Sequence, residues 1–132
     1  MKSFYIGEII LESLVDPSVL ESVKDFLISK RTANVENFTP SHWNIHRYRM
    51  PHHEVLRLLP LVENNLDKNQ WYIHFYSESE NKMYVTLSGK TFLLPKFLDS
   101  SWDEMILYGE KVGVGRRWTE TIPVDFHQES PQ

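Results

Sequence analysis

From Gln70 to Gly113 the spacing of apolar positions switches from a strand repeat to a helix repeat. Trp71, Ile73 and Phe75 alternate with Tyr72, His74 and Tyr76, the two-residue period of a strand. Glu78 to Asn81 is a polar turn. Lys82 to Leu87 and Thr91 to Leu94 read as two further strands, joined at Ser88-Gly89-Lys90, where Gly supplies the positive φ of a tight hairpin. Pro95 stops the last one. Ser100 or Ser101 then caps a helix, with Asp103 or Glu104 three residues on. Trp102, Met105, Ile106 and Val112 face the core, and Gly113 ends the helix.

The first half gives a weaker pattern. Phe4 to Glu12 reads as a strand. Asp16-Pro17 is a helix start, with Ser18 and Glu21 as a second capping pair. Val19, Val23, Phe26 and Leu27 make its apolar stripe, and Lys30-Arg31 suit its negative C-terminal end. Thr32 to Ser41 is polar, contains Pro40, and reads as a loop of about ten residues. Trp43 to Met50 reads as a strand. Trp43 and Ile45 share one face with Arg47 and Arg49, so either a bulge flips the face or the arginines lie at an exposed edge. Pro51 to Leu66 reads as a helix that Pro60 should kink or split. It ends at Asn64-Asn65 and residues 67–69. After Val114 the chain is irregular. Trp118 to Phe126 is predicted to add a short extended segment, and residues 127–132 a frayed tail.

The predicted order is β-α-β-α-β-β-β-α, an α+β domain over residues 1–126. It implies a single mixed or antiparallel sheet of about five strands, with helices mainly on one face. The first two strands flank a helix, so a parallel pairing through a right-handed crossover is open to them.

Length sets one domain, since 132 residues suffice for a core without staples. The 13% aromatic share argues against disorder over most of the chain. The absence of Cys removes thiol nucleophiles, disulfides, Cys-ligated zinc and iron–sulfur clusters from consideration. A net charge of −4 does not advertise a phosphate-binding surface. The early apolar run is broken by Gly7 and Glu8, too short for a secretory leader, and no run approaches the roughly 20 apolar residues of a membrane span. A soluble cytoplasmic protein with no membrane association and no cofactor is the expectation.

Three groups of residues could carry chemistry. His42, His46 and His74, with Glu54, are candidate metal ligands or acid–base groups; His42 and His46 lie about 13 Å apart on a strand, so His46 with His74 is the better pair. Tyr72, His74 and Tyr76 share one face, which Tyr84 extends; such a face suits a ligand or a subunit interface. Arg47, Arg49, Arg116, Arg117 and Trp118 are candidate contacts to an anion or single-stranded nucleic acid. Gly113-Val114-Gly115 lacks the context of a dinucleotide loop, and Ser88-Gly89-Lys90-Thr91 lacks the upstream Gly of a phosphate loop.

The second half resembles a family of small bacterial and archaeal proteins with no assigned activity. The residues are His74-Phe75-Tyr76, Gly89-Lys90 with Phe92, Ser101-Trp102, and Tyr108-Gly109 followed by Gly113. The resemblance covers about a third of the chain and implies a hairpin-plus-helix arrangement. It carries over no catalytic residue. The chain departs from it after Gly113, where Arg116-Arg117-Trp118 replaces an acidic continuation. The leading expectation is a non-catalytic interaction domain, with a protein partner or a second copy as its target. A His/Tyr ligand or metal site is the first alternative; weak nucleic-acid binding, held to be unlikely for an acidic chain, is the second.

Overall fold

Strand β1 (Phe4–Ile10) sends alternate side chains to opposite faces of a sheet. Tyr5, Gly7 and Ile9 define the back, and Phe4, Ile6, Glu8 and Ile10 the front. The computed structural model describes residues 3–67 and 70–122. After β1 come a 3-10 turn (Leu11–Ser13) and a longer 3-10 segment (Pro17–Phe26). Strands β2 (Leu27–Asn34) and β3 (His42–Pro51) lead into helix α1 (His52–Glu63). Strands β4 (Ile73–Ser77), β5 (Met83–Leu87) and β6 (Lys90–Leu94) form a meander. A 3-10 turn (Ser100–Trp102) opens into α2 (Asp103–Lys111), and a short α3 (Arg116–Thr119) follows.

All six strands join one antiparallel sheet in the order β2-β3-β1-β4-β5-β6. The domain is α+β, but with a sixth strand in place of the five expected. The addition is β2. Its residues are exposed on both sides, so Ser29 to Thr32 carry no apolar alternation and read as a helix end and a loop. Asp16 caps the segment before it, accepting from the Ser18 amide at 3.0 Å, but the turns that follow are 3-10 rather than α. With β2 present, the chain reaches β3 by a hairpin. Of the mixed and antiparallel sheets left open, the antiparallel one is found: β1 pairs antiparallel with β3, Tyr5 opposite Met50 and Glu8 opposite Arg47, and no parallel crossover joins them.

The helices cover both faces, contrary to the one-sided arrangement expected. On the back, Val55, Leu58, Leu59 and Val62 of α1 pack on Ile9, Tyr48, Ile73 and Phe75. On the front, Trp102, Met105 and Ile106 pack on Tyr76, Met83, Val85 and Phe92. Strand alternation makes these two separate cores, one on each side of the same β1–β4–β5 backbone.

Local signals behave unevenly. Gly89 takes φ 87° in the β5–β6 hairpin as expected. Asp99, rather than Ser100 or Ser101, caps the 3-10 turn that opens into α2, accepting from the Ser101 amide at 2.8 Å, and α2 itself has no side-chain cap. Pro60 lies on the exposed side of a single run from His52 to Glu63, so the expected split is not seen. Arg116 to Thr119 are helical where an irregular chain, extended from Trp118 on, was predicted, and residues 123–132, including the rest of that segment and the predicted tail, lie outside the described residues. No helix among the described residues is long and apolar enough to cross a membrane.

Beneath the start of α1, the Tyr5 ring stacks on His52 at 4.7 Å, and its hydroxyl is buried with no hydrogen bond among the described residues. Burial, with Tyr84 and Glu80 adding to it, pushes the Tyr5 hydroxyl up to about 12 from an ordinary 10.0. The folded state therefore holds this proton more tightly than the unfolded chain. Its contribution to stability is complete below pH 10.0 and is lost as pH rises through about 12. Tyr5→Phe should be neutral or stabilising by up to about 1 kcal/mol at pH 7, because it removes a buried donor and no bond. Absorbance titration at alkaline pH should lose a tyrosine transition at about 12 in that variant.

Candidate functional site

The central row of the front face crosses three strands. Glu8 of β1 stands between Arg47 of β3 and His74 of β4. A carboxylate in an otherwise apolar central strand needs a partner, and Arg47 supplies one through Nε at 3.0 Å and Nη2 at 2.9 Å. Arg31 of β2, one row over, reaches the other carboxylate oxygen at 2.9 Å. Glu8 and Arg47 are mostly buried, with 13% and 16% of their side chains exposed, whereas Arg31 is half exposed.

Above this floor, rings from three distant segments converge where β1 ends and β3 and β4 begin. Phe38 in the loop 35–41 meets Trp43 edge-on at 5.0 Å and Trp71 at 5.3 Å. Trp118 of α3 closes on Phe38 from the other side at 6.1 Å, nearly perpendicular. The rings are held in place by polar ties. The Trp43 indole N–H donates to the Pro40 carbonyl at 2.8 Å. The Gln70 amide donates to the Thr39 carbonyl at 2.6 Å, and its backbone N–H donates to the Gly113 carbonyl at 3.2 Å. Gln70 thereby ties both walls to the entry of β4.

Between floor and rings lies a cleft of about 190 Å³, bordered also by Ile45, Tyr72 and His74. Among the described residues its lining holds no serine, threonine or cysteine. Both oxygens of its carboxylate accept from guanidinium groups. The cleft offers ring faces, N–H donors and shape.

The predicted groups disperse. His46 lies on the back opposite Ile9, His74 on the front opposite Glu8, and β1 separates them, so they cannot share a ligand. Burial, with the Lys30 charge, lowers the His46 pKa below the ordinary imidazole value. His42 is exposed and within 3.0 Å of Asn34 Oδ1. Glu54 accepts from Arg57 on α1. No group of three or more His, Cys, Asp or Glu among the described residues could hold a metal ion. Tyr72, His74 and Tyr76 do share the front, but Tyr84 sits on the back, opposite Phe75, with its hydroxyl 2.9 Å from His52 Nε2. Tyr76 is consumed by the front core, so the expected open Tyr-His face shrinks to Tyr72 and the floor at His74.

The arginines are likewise separated. Arg49 makes two hydrogen bonds to Glu78 and lies over the Phe4 ring. Arg116 pairs with Glu110 and Glu120. Arg117 lies over the Trp118 ring at 4.9 Å. Acids interrupt what would be a track for a nucleic-acid backbone.

Of the sequence candidates, His74, Tyr72 and Trp118 line the cleft, and Arg47 braces its floor. Glu8, Arg31, Phe38, Gln70 and Trp71 were not anticipated. Glu8 alone carried a signal, as a charge inside an apolar strand. No family model matches the chain, and no curated protein or solved structure matches it either.

Proposed function

We propose that this domain acts by binding rather than by catalysis, and that its ligand presents a flat ring to the cleft at the end of the sheet. The observation that carries this reading is the convergence of Phe38, Trp43, Trp71 and Trp118 over an ion-paired floor. Trp43, tied to Pro40, and walls that Gln70 ties to Thr39 and Gly113 need little ordering on association, which favours binding. The volume suits one ring system: a cavity of roughly 150 Å³ admits benzene.

Three of the four tryptophans border the cleft, and the fourth, Trp102, lies in the front core. A fragment screen read by the indole N–H signals in two-dimensional NMR therefore has an internal control. Ring-bearing fragments should shift Trp43, Trp71 and Trp118 and leave Trp102 in place. Trp43→Ala should weaken them roughly ten-fold, as expected for an aromatic anchor. Shifts gathered around Tyr84 and His52, or none at millimolar fragment, would sink the reading.

Self-association is a second reading. Strand β6 is an edge among the described residues, and Leu93, Phe97 and Leu98 beside it are more than half exposed. Sedimentation at high micromolar concentration should show a dimer that Leu93→Glu dissociates; a monomer there removes it.

A further inference from the structure

Aromatic walls with a carboxylate beneath them have the parts of a cage for an organic cation. The ion pairs reverse that preference. Both oxygens of Glu8 are taken, one by Arg31 and one by Arg47. Among the described residues the carboxylate is thus taken up on both oxygens, and the half-exposed charged group at the cleft is the Arg31 guanidinium. Arg117 lies over the ring of Trp118, one of the cleft's walls. A cation entering here would meet guanidinium groups instead of an open carboxylate.

Resting on the binding reading above, we propose that the cleft selects a planar aromatic group bearing a carboxylate, with Arg31 as the anion anchor. The ring lies among Trp43, Phe38 and Trp118, and the carboxylate faces the half-exposed guanidinium of Arg31. Arg47 holds Glu8 and so keeps Arg31 in position from below. Guanidinium suits this task because its planar fork of N–H donors matches a carboxylate.

The test keeps one ring and varies its charge. Benzoate, benzamide and benzyltrimethylammonium are titrated into the full chain at low salt, with the Trp43 and Trp118 indole signals as readout. Benzoate should bind roughly five-fold tighter than benzamide, the scale of a partly exposed ion pair, and the ammonium compound weakest. The benzoate advantage should shrink in high salt. Arg31→Gln should bring benzoate level with benzamide, and Arg31→Lys should retain part of the preference. Arg31 is on an exposed edge strand, so thermal melting should show both variants folded. If the ammonium compound or benzamide matches benzoate on the wild type, the anionic class is wrong although the cleft stands. If none of the three shifts the indoles, the cleft itself is not a binding site.

Discussion

Gly7→Ala should cost about 3 kcal/mol or more and lower the melting temperature by roughly 10 °C. Gly7 lies in the middle of β1, hydrogen-bonded to strands on both sides, and the buried Phe75 ring lies across its back. A Cβ there would meet the ring at Cδ1 and Cε1, and the His74 carbonyl oxygen at 2.6 Å. The ring is locked in the back core and the carbonyl belongs to the neighbouring strand, so neither gives way cheaply. Gly7→Ala combined with Phe75→Leu should recover only part of the loss, because the carbonyl clash remains. Gly115→Ala is the control: its Cβ would have Trp118 Cδ1 at 4.0 Å, and stability should change by less than about 0.5 kcal/mol. Urea unfolding of the four proteins measures all of this. A Gly7→Ala protein as stable as the wild type would mean that the close approach of β1 and β4 is wrong.

Glu8→Ala should be the second most damaging change, at about 3 kcal/mol. It removes the carboxylate that Arg31 and Arg47 share and sets two guanidinium groups beside each other, Arg47 mostly buried. Arg31→Gln should cost under about 1 kcal/mol, since its side of the pair faces water. The contrast separates a buried partner from an exposed one around the same acid. Added salt should restore part of the Glu8→Ala loss by screening the arginines. Replacing both members, Glu8→Leu with Arg47→Leu, should return most of the stability, because Arg31, the charge then left without Glu8, is half exposed and reaches water. Equal and small losses for Glu8→Ala and Arg31→Gln would show that the Glu8–Arg47 pair is solvated and holds nothing in place.

What could be read from the chain divides by range. The alternation of Trp43, Ile45, Arg47 and Arg49 assigned them to one face, and that face is real. No flip is needed, because Arg47 and Arg49 find Glu8 and Glu78 on neighbouring segments. The Gly89 turn, the strand at Ile73 and the helix after Trp102 were local and legible. Strand β2 was not, because an edge strand wet on both sides leaves no apolar period. Leu27 completed a helical stripe by spacing while opening β2. Tyr84 was placed on the wrong face because hairpin register decides its side, and that register pairs it with Phe75. The cleft was out of reach for a deeper reason. Its parts come from residues 8, 31, 38, 43, 70, 71 and 118, and they meet only because β1 inserts between β3 and β4. Nothing in the local pattern specifies that insertion.

The place of β1 has a kinetic consequence. The strands on either side of it form two units of sequence neighbours, β2 with β3, and β4 through β6. β1 joins them over long separations; Glu8 and Arg47 are 39 residues apart. Pairings of that range close late, after hairpins that need only short loops. β1 is thus a seam between two groups of locally paired strands, and the cleft straddles it, with Arg31 and Trp43 on one side, His74 on the other and Glu8 on the seam. An occupant spanning the cleft would hold the seam shut. Its signature would be slowed amide exchange along the whole of β1, well beyond the residues it touches.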